Sequence, residues 1–215
     1  MDAFITVLKH NEQNPSVWHP RHPPVVWTHL PFAILLAGTY LAFADGTVGQ
    51  QGYFLVTIGL YLSSAAYHTW RPDWLIRFAD QTLISWYIIV TPLPFVYHNP
   101  AAVTYIVVAM AASAANKWYA WERNCTDGSL VFFSLGAVST LLVFLVGLPT
   151  ADVSCLSAAG VAVQLSIVCF VGKLLIYHFQ KLRLIPGYWE APESGHFVLA
   201  IGVTIYTAVV LVNPV

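Results

Sequence analysis

The sequence predicts an all-α, polytopic membrane protein: a seven-transmembrane-helix bundle with its N-terminus in the cytoplasm and its C-terminus outside. Three observations carry this. Of 215 residues, 58% are hydrophobic and only 9% charged, where a soluble domain carries about 25% charged residues. Apolar stretches close to the ~20 residues that span a bilayer recur seven times. All nine Lys and Arg residues then fall on one side of the membrane.

The predicted spans are residues 26–44, 52–70, 81–98, 101–117, 129–148, 154–178 and 196–213. Residues 1–25 contain Lys9, Arg21 and three histidines but no long apolar core, so they read as a cytoplasmic tail rather than a cleaved signal. The second span closes on "SSAAYHTW", and "RPDW" leads into the third. The connections "ADGTVGQQG", "HNP", "NCTDG", "LPTADV" and "IPGYWEAPESG" are built from turn-forming residues. Strands are not expected, because open sheet edges are not tolerated in lipid and the runs lack period-2 alternation. No repeat or further domain is visible, so residues 1–215 read as one domain.

Charge sets the orientation. Lys9 and Arg21 precede the first span, Arg71 and Arg77 lie between the second and third, and Lys117 and Arg123 between the fourth and fifth. Lys173, Lys181 and Arg183 lie at the end of the sixth span and after it. A missed helix would scramble this agreement. The expected location is therefore multi-pass, in a plasma or inner membrane, with no nucleic-acid partner. Cys125, Cys155 and Cys169 have no paired spacing and read as small packing residues.

The unusual residues share a depth. His29 lies in the first turn of the first span, and Ser64 and His68 stack on one face at the inner end of the second. Asp80 opens the third span, His178 closes the sixth and His196 opens the seventh. Each has an ordinary reading. Asp80 serves as an N-cap, Ser64 bonds the carbonyl one turn back, and His29 and His178 are wet interfacial side chains. His98 reads as a loop residue, and "HPRHPP" as a solvated lead-in to the first helix. Taken together these readings weaken, since ionisable groups in spanning helices are costly and usually face the bundle interior. Imidazole with carboxylate is a good donor set for zinc. A serine one turn from a ligand histidine is placed to orient it or to hold water.

These same residues carry a family likeness. Ser64 and His68 form a serine, three residues, histidine pattern ending the second helix, and Asp80 sits within "RFADQTLISWYIIVTPLPF" with its Pro94-Phe95 pair. "VVWTHLPFAILLAG" and "GHFVLAIG" occupy the first and seventh helices. In these motifs the chain resembles the seven-helix superfamily of progestin and adipoQ receptors, hemolysin III-type proteins and alkaline ceramidases. The resemblance covers helices 1, 2, 3 and 7 by motif and the others by count and length. It implies a zinc held by three histidines, with His68 and His196 as ligands and Asp80 and Ser64 on a water beside the metal. Two departures stand out. Pro192 occupies the position of the family's other seventh-helix histidine, and His22 and Val25 stand where its first-helix Glu and Asn fall.

The third ligand is then sought among Asp80, Glu193, His29 and His178. Asp80 is the first expectation, because it shares a layer with His68, and Glu193 is the second, three residues before His196. The leading functional expectation is a zinc-dependent membrane hydrolase, similar to alkaline ceramidases, that cleaves an amide or ester bond in a lipid with an acyl chain. Asp80 would act as general base and Ser64 would help hold the water. The alternative is a receptor-like or membrane-homeostasis protein whose metal only braces the bundle. A pore would need polar residues through the full thickness of the membrane, and the outer halves of these helices are apolar.

Overall fold

The computed structural model describes residues 22–43, 46–70, 74–122 and 191–212, with helical residues Gln164, Leu165, Val168, Cys169, 171–173, Leu175, Ile176 and Phe179 between them. Among the described residues all regular structure is helical. The fold is therefore all-α as expected. The helices are α1 Pro23–Phe43, α2 Val48–Thr69, α3 Trp74–Val90, α4 Leu93–Val96, α5 Pro100–Glu122 and α6 Ala191–Val212. By length and composition, Pro23–Ala42 and Ser194–Leu211 are apolar enough to cross a membrane. The predicted span 129–148, most of 154–178, His178 and the tail up to Arg21 lie outside the described residues.

Local chemistry explains the ends. Thr47 caps α2, its hydroxyl accepting from the Gln50 N–H at 3.3 Å. Asn99 starts α5, its side-chain oxygen accepting from the Ala101 and Ala102 N–H groups, with Pro100 in the first position. Three boundaries differ from the sequence expectation. α3 begins at Trp74 rather than residue 81 and stops at Val90. Pro92 and Pro94 lack an N–H and disfavour helix in the residue before them, so a turn separates α3 from the short α4. α6 begins at Ala191, with Pro192 in its first turn where a missing N–H costs nothing. Asp80 and His196 therefore lie inside helices rather than opening them.

α1, α2 and α3 pack side by side in sequence order, α5 packs on α3, and α6 lies against α1. Their directions follow from specific contacts. The His22 N–H at the head of α1 donates to the His68 carbonyl at the tail of α2. At the other end Gln50 Nε2 donates to the Val210 carbonyl, and Tyr53 and Thr207 share a hydroxyl hydrogen bond of 3.0 Å. α2 is thus antiparallel to both α1 and α6. Trp118, late in α5, meets Trp74 and Phe78 at the head of α3.

The core is one apolar cluster that includes Leu36, Tyr53, Phe54, Tyr61, Tyr87, Phe95, Val203 and Tyr206. Its aromatic hydroxyls tie helices together: Tyr206 donates to the Thr91 carbonyl across the bundle. Outward faces are apolar too, with Leu41, Ile34 and Val48 all more than two-thirds exposed at 83%, 71% and 67%.

Among the described glycines, Gly49 permits the closest approach of backbone to backbone. A Cβ there would lie 2.9 Å from the Leu93 carbonyl oxygen and 3.0 Å from Pro94 Cα, and backbone cannot swing aside. Gly49→Ala should therefore lower stability by about 1–3 kcal/mol, the usual cost of overpacking. Gly38 has open space around its Cβ position. Gly38→Ala is the matched control: with room for the methyl and a better helix former, it should melt no lower than the parent protein.

Candidate metal centre

The candidate site residues cluster at one end of the bundle, where the heads of α1, α3 and α6 meet the tail of α2. Helical spacing does the placing. Tyr61, Ser64 and His68 recur at i, i+3 and i+7 on α2, so they form a column facing α1 and α6. On α1 the buried series Val25, His29, Ala33 and Leu36 presents His29 to the same space. α6 adds His196, with Gly195 beside it.

Four histidine rings meet there. The His196 ring stands edge-on to His29 at 4.9 Å between centroids and to His68 at 5.1 Å. His22 packs edge-on to His68 at 5.2 Å. His29 Nε2 lies 3.2 Å from His196 Nδ1. Tyr61 closes the inner side with its ring 5.0 Å from that of His29.

Asp80 and Ser64 complete the layer. Asp80 is 7% exposed, and its Oδ1 has no hydrogen-bond partner. It sits in the second turn of α3, so an N-cap role is excluded. Ser64 is 2% exposed and faces the Asp80 carboxylate closely enough to interact with it, though outside ideal hydrogen-bond geometry. Thr57, Ser63 and Thr69 on the same helix do bond carbonyls three or four residues back. Ser64 does not, so that ordinary reading fails for it.

Lys173 is the residue that sequence reasoning missed, having used it only as a topology marker. Its stem lies against Gly195, where an added Cβ would sit 3.4 Å from Lys173 Cγ. Its ammonium is an electrostatic neighbour of Asp80, His29 and His196. His22 was likewise read as part of a solvated lead-in, yet it stacks on His68. The signal was only its position seven residues before His29, two helical turns on one face. Lys117 was expected in a loop and instead lies within α5, 5% exposed. Glu193 falls in the first turn of α6, and its side chain lies outside the described residues, as does His178.

The donor chemistry suits zinc in part. Zn–N bonds of ~2.0–2.1 Å in a tetrahedron place two nitrogens about 3.3 Å apart, close to the 3.2 Å between His29 and His196. Among the described residues, however, no group of three or more His, Cys, Asp or Glu side chains converges on a single point. Only the nitrogens of His29 and His196 stand at that spacing. No family model matches the chain, and no similar curated protein or solved structure was found.

Proposed function

We propose that the chain is a seven-helix membrane protein, N-terminus in the cytoplasm, that works as a zinc-dependent hydrolase on an amide or ester bond of a lipid. The observation that carries the reading is the buried pair of Asp80 and Ser64, with Asp80 Oδ1 left without a geometric hydrogen-bond partner, at the level of the rings of His68 and His196. A stability-driven bundle gains nothing from such a layer. Zinc at His68 and His196 would supply a Lewis acid for a lipid carbonyl. Asp80 is placed to take a proton from an attacking water, and Ser64 to orient that water. Lys173 offsets the carboxylate charge and favours a carbonyl oxygen that gains negative charge.

Membrane insertion is supported by the two spanning-length helices and by the exposed Ile34, Leu35, Leu41 and Ile201 on their outer faces. Orientation is supported by Arg77, Lys117 and Lys173, the Lys and Arg of the described residues, which all lie at the histidine end. His98, exposed before α5, lies at the opposite end. In sealed inside-in vesicles, a cysteine at His98 should be labelled only from outside and one at Lys181 only from the cytoplasmic face. Labelling of both from one face would break the topology.

The functional test is direct. Protein reconstituted with long-chain N-acyl amides or acyl esters should release fatty acid, and a chelator should stop the release. Zinc bound at about one per chain with no hydrolysis of any acyl lipid would instead favour the receptor-like reading, in which the metal braces α1, α2 and α6. The direct His29–His196 contact favours that second reading, since it already ties two helices together.

A further inference from the structure

We propose that the Tyr61 hydroxyl is a specificity contact of this site and that it bonds the hydroxyl of a hydroxyacyl lipid, one whose acyl chain carries an O–H on the first or second carbon beyond the carbonyl. This rests on the hydrolase reading above and is independent of which groups hold a metal. Among the described residues four tyrosines are buried in the core, Tyr53, Tyr61, Tyr87 and Tyr206, none more than 1% exposed. Three of them are engaged within the bundle. Tyr53 and Thr207 share a hydroxyl hydrogen bond of 3.0 Å, and Tyr53 also meets Tyr87. Tyr206 donates to the Thr91 carbonyl. The Tyr61 hydroxyl has no hydrogen-bond partner among the described residues.

Its ring is held in place. Phe32 stacks on it, with centroids 5.7 Å apart and planes 15° from parallel, and His29 stands edge-on to it at 5.0 Å. A phenylalanine would fill the same space without the cost of burying an unpaired O–H. Packing therefore explains the ring but not the hydroxyl. Its place says which part of a ligand it would meet. Tyr61 precedes Ser64 by three residues on the same face of α2, about 4.5 Å of helix rise. Side chains lean toward the N-terminus of their helix. The hydroxyl thus lies deeper in the bundle than the layer of Ser64 and Asp80, toward Tyr53, its electrostatic neighbour. A lipid with its scissile carbonyl at that layer and its acyl chain running into the apolar core passes Tyr61 within its first few carbons. A plain chain leaves the phenol unpaired there, whereas a chain hydroxyl pairs with it. A donor fixed in a dry site discriminates in this way against the analogue that lacks the matching group.

The test uses three N-acyl amides of equal chain length: a plain one, one hydroxylated next to the carbonyl, and one hydroxylated a carbon further on. Detergent-purified protein should hydrolyse the better of the two hydroxylated probes with a kcat/KM roughly 10-fold or more above that of the plain probe. In Tyr61→Phe the ratio should fall to about one, since the ring remains and only the bonding group is gone. Without lipid, Tyr61→Phe should melt no lower than the parent, because no hydrogen bond within the protein is lost. A midpoint several degrees lower would assign the hydroxyl to the fold and overturn the proposal. Hydrolysis with no preference for either hydroxylated probe, or a preference that survives in Tyr61→Phe, would overturn it as well and leave the hydrolase reading intact. No hydrolysis of any probe by the parent protein would overturn both.

Discussion

Replacing His68 by alanine should strip the protein of zinc and lower its thermal midpoint by on the order of 10 °C. His68 is the central ring of the cluster, in edge contact with both His22 and His196. On the zinc reading, removing it takes away one donor and the ring contacts to His22 and His196. A metal present at ~1,000 times its Kd stabilises the folded state by about 4 kcal/mol. For a chain of this size each kcal/mol moves the midpoint by roughly 2–4 °C. A chelator should impose the same drop on the parent and little further drop on His68→Ala. His98→Ala is the control: that ring is exposed and meets only Tyr97 among the ring contacts. A His68→Ala protein that keeps one zinc per chain would remove His68 from the ligands, and a parent indifferent to chelator would remove the metal from the account.

The parts of this centre that could be read in the sequence are those fixed by helical geometry alone. Ser64 and His68 share a face because four residues make about one turn, and that holds wherever the helix packs. Burial of His29, Ser64 and Asp80 followed from placing ionisable and polar groups in apolar helices, where the interior is the cheaper side. The helix starts were less legible. Asp80 reads as the opening residue of the 81–98 span, but "WLIRF" is apolar enough to carry α3 back to Trp74. The break at Thr91-Pro92 had a local cause and was still passed over, since Leu93 to Val96 continue the apolar run.

Contacts between distant elements were legible only for polar residues that share a depth, as His68 and His196 do. Nothing in the local pattern says that Lys173 lies against Gly195, because the approach depends on how two helices pack and on the absence of a Cβ. The same holds for His29. Its sequence position marked it as a third candidate, behind Asp80 and Glu193, and only the pairing of α1 with α6 brings its ring to His196. Register across a bundle is set by side-chain volumes on both partners, which a single helix does not contain.

Asp80→Asn is the substitution expected to separate chemistry from metal binding. The amide has the shape of the carboxylate but cannot take a proton at neutral pH. If Asp80 is the base, lipid hydrolysis should fall ~10²–10⁴-fold, the usual contribution of a positioned general base. If Asp80 is not itself a ligand, zinc content should stay near one per chain in the same protein. The geometry favours this outcome, because Asp80 Oδ1 is buried and unpartnered beside Ser64 while the nitrogens of His29 and His196 face one another. Ser64→Ala should show the same pattern with a smaller loss, since it removes an orienting hydroxyl and leaves the base. Removal of the carboxylate also leaves the Lys173 ammonium facing His29 and His196 without its counter-charge. Lys173→Met in the Asp80→Asn background should therefore recover stability without recovering hydrolysis. Loss of zinc in step with activity in Asp80→Asn would mean that Asp80 binds the metal itself. The proton would then have to leave through another group of the layer.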